Sequence, residues 1–255
     1  MKILVLVKQV PDSAAAIKLA GPASIDRSVK PVLNPYDEIA VEEALRIRER
    51  SGGEVVLVTL GPPAADGALR AGLAMGADRG VLVTCDLAFP DPRFVGRALA
   101  AAIADEGSAG LVLAGLRSID ADGSQIPYRV AATLGWPAVN GITKLELSPG
   151  VATVTREADG GDLEILSLPL PCVLGANRGL NQPRYPKLPD LMGAKKKPVR
   201  VVDPASLAGV GQPVALAVKG LELPPPRRAA RVLEGELGAA AVELVRLLRE
   251  EAKVL

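Results

Sequence analysis

The sequence predicts an α/β fold: a doubly wound, mostly parallel sheet with an antiparallel edge hairpin and an extended C-terminal arm. Three observations carry this. Short apolar runs at 3–7, 55–60, 81–84 and 111–114 lack polar–apolar alternation, the pattern of strands buried on both faces. Helical patterns lie between them, and the order strand, helix, strand, helix implies parallel strands joined by right-handed crossovers. The chain has 255 residues, 49% of them apolar, enough for one large domain with an appendage.

The elements follow in order. The first helix starts at Asn34-Pro35-Tyr36-Asp37-Glu38: Asn suits a cap, Pro the first turn, and two acids complement the helix dipole. Its apolar stripe is Ala40, Val41, Ala44, Leu45 and Ile47, and Gly52-Gly53 ends it. A second helix is expected over 64–75 with Gly76 as its stop. A third is expected over 92–105, and a fourth from Ser124 to Gly135. Beyond Trp136-Pro137 the pattern changes. Residues 151–155 and 163–168 read as a hairpin turned by Asp159-Gly160-Gly161, and 170–175 as another buried run. From Gly179 the chain is irregular and rich in Pro, Gly and Lys. Pro224-Pro225-Pro226 reads as a stiff spacer, and 238–253 as an amphipathic helix that either folds back or wraps a partner.

Composition narrows the function. Aromatic residues make up 2% of the chain and the net charge is +1, which argues against nucleic-acid stacking and against broad attraction to anionic surfaces. The chain has no histidine, which excludes the usual catalytic triads and most zinc sites. Cys85 and Cys172 lack metal spacing and read as buried free thiols, consistent with a cytoplasmic location. No leader pattern opens the chain and no apolar run is long enough to span a bilayer. No catalytic residue set or metal site is expected.

Three segments are candidate sites. The loop Gly115-Leu116-Arg117-Ser118-Ile119-Asp120-Ala121-Asp122-Gly123-Ser124-Gln125 follows a buried strand and opens a helix, where open α/β sheets bind ligands. An Asp-rich capped turn without ligand fits the bare loop equally well. Asn34-Pro35-Tyr36-Asp37 reads as a cap that can also contact a nucleotide. In the third segment Leu188, Leu191 and Met192 share one face of a helical turn, followed by Lys195-Lys196-Lys197. That pattern suits either a core-facing turn or an apolar docking knob.

These blocks resemble electron-transfer flavoprotein beta subunits. The resemblance rests on Lys8-Gln9-Val10-Pro11-Asp12, on Asn34 to Ala44, on Ala74-Met75-Gly76-Ala77-Asp78-Arg79-Gly80 and on Ser118-Ile119-Asp120-x-Asp122-x-x-Gln125. Most specific are Arg156-Glu157-x-x-Gly160-Gly161, Asn181-x-Pro183-Arg184-Tyr185, Leu188-Pro189, Met192 and Ala194-Lys195-Lys196-Lys197. The resemblance is strong over 1–200 and loose beyond. It implies a Rossmann-like adenine-nucleotide-binding domain over 1–200, and an arm over 201–255 that wraps an alpha subunit. The implied heterodimer is an electron carrier, not an enzyme. It takes electrons from acyl-CoA dehydrogenases and passes them to a quinone oxidoreductase, without inserting in the membrane. FAD is held mainly by the alpha subunit, with the flavin near Ser13. A structural AMP is implied at Leu6, Asn34, Pro35, Tyr36, Asp37, Leu60 and the loop from Gly115 to Ile126. Residues 183–197 match the family's recognition loop, with Leu188 as anchor and Arg184, Tyr185, Leu191, Met192 and the three lysines around it. Glu157 matches a charged residue that steers the mobile flavin domain.

Two departures bear on the nucleotide. Arg117-Ser118 stands where relatives carry Gln-Ala or Gln-Ser. Ile126-Pro127 stands where they carry Thr or Val then Gly, so Pro127 removes one N–H that could bind phosphate. Arg117 can replace it with a charge-assisted contact. The opening at 8–12 resembles electron-bifurcating relatives, which hold a second FAD in place of AMP. Gly135-Trp136-Pro137 and the lysine run resemble the AMP type, the reading favoured here. A stand-alone adenine-nucleotide sensor is the third alternative.

Overall fold

In the computed structural model, residues 1–21, 24–26, 28–211, 216, 218–226 and 230–255 are described. Parts of the expected arm, at 212–215, 217 and 227–229, lie outside them. Strand β1 (Lys2–Leu6) is followed by β2 (Gln9–Pro11), β3 (Leu19–Gly21), β4 (Ser24–Ile25), β5 (Pro31–Leu33) and helix α1 (Pro35–Ser51). Next come β6 (Glu54–Gly61), α2 (Asp66–Met75), β7 (Arg79–Thr84), α3 (Pro92–Glu106), β8 (Ala109–Gly115) and α4 (Ile126–Leu134). The chain continues through β9 (Ala138–Ser148), β10 (Val151–Glu157), β11 (Leu163–Pro169), β12 (Cys172–Ala176), α5 (Leu188–Ala194), β13 (Val199–Val202) and α6 (Leu237–Glu250).

Among the described residues nine strands form one sheet, in the order β11-β10-β9-β12-β8-β1-β6-β7-β13. All neighbours from β9 to β13 run parallel, and β9, β10 and β11 are antiparallel. The chain leaves β1 toward β6 on one side and later returns to its other side as β8. That reversal makes a topological switch point at the carboxyl ends of β1 and β8.

Helices α1 and α2 cover one face of the sheet, packing Leu45, Leu69 and Leu73 among Ile3, Val5, Leu57 and Leu113. Helices α3 and α4 cover the other, where Phe94, Ile103 and Val130 meet Leu4, Val56, Val58 and Val112. Burial on both faces explains the unbroken apolar strands. Each fully buried aliphatic side chain contributes roughly 1.5–3 kcal/mol.

Several expectations are corrected. Helix α4 starts at Ile126 rather than Ser124, because Asp122 and Ser124 take left-handed backbone, φ 53° and 49°. Asn34 occupies the N-cap position of α1, but its side chain makes no cap bond; it is used across the loop described below. Strand β9, with 11 residues, has no counterpart among the strands expected from the sequence. It pairs with β12 through Ala138–Ile142 positions and with β10 through its second half, so Asn140, Lys144 and Glu146 break any simple apolar run. Strand β13, inside the stretch read as irregular, adds to β7 at the far edge.

The chain divides into two compact units, Met1–Leu221 and Glu222–Leu255. In the second, α6 buries none of its residues, and Leu237, Val242, Leu244 and Val245 are exposed.

Candidate functional site

The first candidate site grows from Asp37. Helix α1 begins directly after the short β5, placing this carboxyl 6% exposed beside the ends of β1 and β8. Its Oδ2 accepts the Lys8 N–H at 2.7 Å. Its Oδ1 accepts the Asn34 Nδ2 amide at 2.9 Å and the Gly115 N–H at 3.1 Å. Asn34 extends the staple: Nδ2 also donates to the Arg117 carbonyl at 2.9 Å, and Oδ1 accepts the Ile119 N–H at 3.2 Å. One carboxyl and one amide therefore bind the end of β1, the start of α1 and the loop after β8 into a single unit.

Burial pushes the Asp37 carboxyl up to about 7 from an ordinary 3.8, against the bonds from Asn34, Lys8 and Gly115 that favour its charged form. The folded state therefore holds a proton that the unfolded chain has released between about pH 4 and 7. This contribution is most favourable at low pH and is lost as pH rises through 7. Denaturant unfolding at pH 5 and pH 8 should show stability falling across the interval, by a few kcal/mol at most from this group. The Asp37→Asn variant should be less stable at both pH values, since an amide N–H would face a donor, yet should show a shallower pH slope. An unchanged slope in that variant would remove Asp37 as the titrating group.

The charges of the loop are matched locally. Lys8 Nζ binds both oxygens of Asp120 at 2.7 and 2.8 Å and lies 3.4 Å from Ser118 Oγ. Arg117 pairs with Asp122 at 3.1 Å. Neither aspartate caps α4. Gln125 Oε1 is taken by Arg129 at 2.7 and 3.0 Å, and α4 has no side-chain cap. Ala121, Asp122 and Gly123 are exposed, while Ser124 is half-buried. The Tyr36 ring, 8% exposed, has the guanidinium groups of Arg117 and Arg178 over it, 5.7 and 5.6 Å from its centre.

Leu6, Leu60 and Gly115 sit at or next to the carboxyl ends of three neighbouring strands, so the structure brings them together with Asn34–Asp37 and the loop. Lys8, Asn140 and Arg178 were not anticipated. Asn140, 6% exposed, donates to the Leu116 carbonyl at 3.0 Å and so supports the loop from β9. A lone buried Asn in a strand was its only sequence signal. Ser13 stands exposed in the turn after β2, and Glu157 is exposed at the end of β10.

At the edge of the loop Gly115 packs so closely that a Cβ would collide with Asp37 and Tyr36, and the two left-handed residues, Asp122 and Ser124, flank a glycine. Both loop aspartates are already neutralised by cations. Among the described residues no group of His, Cys, Asp and Glu could hold a metal, and no helix is long and apolar enough to cross a membrane. Cys85 and Cys172 are buried and free, and burial pushes the Cys172 thiol up to about 11.

The second candidate site is the segment around α5. Leu188, Leu191 and Met192 are 71%, 47% and 65% exposed, so the turn faces outward rather than into the core. Tyr185 is 96% exposed. The charged residues divide. Lys195 and Lys196 are exposed, whereas Lys197 turns back onto α2, its Nζ donating to the Leu73 and Ala77 carbonyls at 2.9 and 2.6 Å. Arg184 is bound to α1, with Nε 2.7 Å from Glu42 and Nη1 2.6 Å from Glu49. Burial works to raise the Glu42 carboxyl, but Arg184 and Arg46 together hold it below the usual range. Arg184 and Lys197 therefore hold the segment in place.

The electron transfer flavoprotein domain family matches residues 23–207. The electron transfer flavoprotein subunit beta of Syntrophomonas wolfei is 39% identical over 256 residues, covering all of this chain and 98% of that protein. The subunit of the same name from Bacillus subtilis is 38% identical over 259 residues, covering both chains fully. That of Homo sapiens is 38% identical over 260 residues, covering all of this chain and 99% of that one. With a family match over most of the chain and full-length relatives of one kind, this chain belongs to the electron transfer flavoprotein beta-subunit family.

Proposed function

We propose that this chain is the beta subunit of a heterodimeric electron carrier. In this reading it binds a structural AMP, helps an alpha subunit enclose FAD, and docks acyl-CoA dehydrogenases for electron transfer toward a quinone oxidoreductase. The observation that carries the reading is the Asp37–Asn34 staple at the switch point, which fixes a glycine-edged loop where open α/β sheets bind nucleotides. Leu6 and Leu60 would flank the base or ribose, and the amides of 121–124 would face the phosphate. Arg117, now paired with Asp122, would supply a donor in place of the N–H that Pro127 lacks.

FAD, when bound, supplies the electron-accepting and electron-donating chemistry. This chain's part is to position and deliver. Ser13 would lie near the flavin, and Glu157 would guide the alpha subunit's flavin domain by charge. The exposed Leu163 and Ile165 on the sheet's edge strand, and the apolar residues of α6, are the kind of surface a permanent partner covers. A protein of this kind works in the compartment that holds its dehydrogenases, which we take to be the cytoplasm, where the two buried free thiols stay reduced.

Size-exclusion chromatography with and without the alpha subunit tests the pairing. A 1:1 complex carrying FAD is expected. A nucleotide-loaded monomer indifferent to the alpha subunit would favour the stand-alone sensor.

A further inference from the structure

Helix α5 has only seven residues, and most of its apolar side chains point outward. Such a segment does not hold its own shape by burial. The contacts that hold it are polar and come from both ends. On its N-terminal side Arg184 grips Glu42 and Glu49, and the Asp190 carboxylate accepts the Lys187 N–H at 3.0 Å. On its C-terminal side two cations cross. Arg70, on α2, sends Nη1 to the carbonyls of Ala194 and Lys197 at 2.8 and 2.7 Å, and to that of Lys195 at 3.4 Å. Lys197 reaches the opposite way, to the Leu73 and Ala77 carbonyls at the end of α2.

Each cation adds a charged donor to carbonyls at or just beyond a helix end, where Ala194 and Leu73 each already accept one backbone N–H, and each lies where the dipole of the other element favours a positive charge. Arg70 is itself oriented by Asp66, one turn earlier, at 3.1 Å. Only Ala194 of α5 is buried, so without this crossing a single methyl would anchor the C-terminal end.

The geometry points to Arg70 and Lys197 as a reciprocal clasp that sets the pose of α5, making them positioning residues for docking through Leu188. The inference rests on the docking role proposed above. A preorganised knob binds without the ordering cost that a loose one carries, so the clasp acts on affinity for the dehydrogenase and not on electron transfer once docked.

The test uses the FAD-loaded heterodimer carrying Arg70→Gln, which keeps helix propensity and stem length but removes the charge. Lys197→Met is the second variant, in case the first fails to assemble, and Leu188→Ala is the reference. Two quantities are read: amide exchange across 187–197 without any dehydrogenase, and the KM and kcat for flavin reduction by an acyl-CoA dehydrogenase. Either clasp variant should exchange about tenfold faster in that segment. Its KM should rise about five- to tenfold with kcat unchanged. Exchange as slow as in the unaltered protein overturns the clasp. Faster exchange with an unmoved KM, where Leu188→Ala does raise KM, overturns its role in docking. An unmoved KM in Leu188→Ala contradicts the docking reading itself, and the clasp then stands or falls on exchange alone.

Discussion

Gly115→Ala should empty the proposed adenine-nucleotide site while the chain still folds. A Cβ at this position would collide with the Asp37 carboxylate and approach Tyr36 Cβ and C at 2.7 and 2.8 Å. Tyr36 and Asp37 are in the first turn of α1, so the nearest atoms include backbone and cannot rotate away. Relief requires the end of β8 to move outward, which breaks the Gly115 N–H bond to Asp37 and slackens the Arg117 and Ile119 bonds to Asn34. Overpacking of this kind costs roughly 1–3 kcal/mol, and the same displacement falls on the loop proposed to hold the nucleotide. Bound AMP in the purified heterodimer should drop at least about tenfold, in line with such a cost. Full occupancy in the variant would show that the close approach at Gly115 does not shape the site.

Leu188→Ala should cut the efficiency of dehydrogenase-dependent flavin reduction by about 10- to 100-fold, the range for losing a central apolar anchor. FAD and AMP content should not change, because Leu188 is 71% exposed on α5 and is not part of the Asp37–Asn34 staple that fixes the candidate loop. Exposed positions of this kind change stability by about 0.5 kcal/mol or less. Stopped-flow reduction by an acyl-CoA dehydrogenase measures the effect. Kinetics equal to those of the unaltered heterodimer would remove the anchor role from α5.

How much of this was legible in the sequence follows from where each determinant lies. Helix α1 was readable because its start and stop are local: Pro35 in the first turn, Asp37 and Glu38 beside it, Gly52 at φ 71° past its end. The central strands were readable because burial on both faces removes alternation. Strand β9 was not, since it changes partners midway and carries Asn140 and Lys144 among its apolar residues. Strand β13 has four residues, and its pairing with β7 bridges more than a hundred positions. The candidate loop was found because it follows a buried strand, but its stapling by Asp37 was not, because Gly115 lies 78 residues away. Likewise Arg184 and Lys197 read as members of a charged docking rim. Their partners, Glu42 at 142 residues and Leu73 at 124, are invisible to any local pattern. Resemblance supplied the docking reading; the structure adds that Leu188, Leu191 and Met192 face outward.

The most direct test of the central claim is the nucleotide content of this chain purified with its alpha subunit, released by acid and quantified per heterodimer. One FAD and one AMP are expected, with the AMP assigned to the loop beside Asp37. Two FAD without AMP would contradict the structural-nucleotide account in favour of an electron-bifurcating subunit, and a complex without nucleotide would contradict the proposed site altogether.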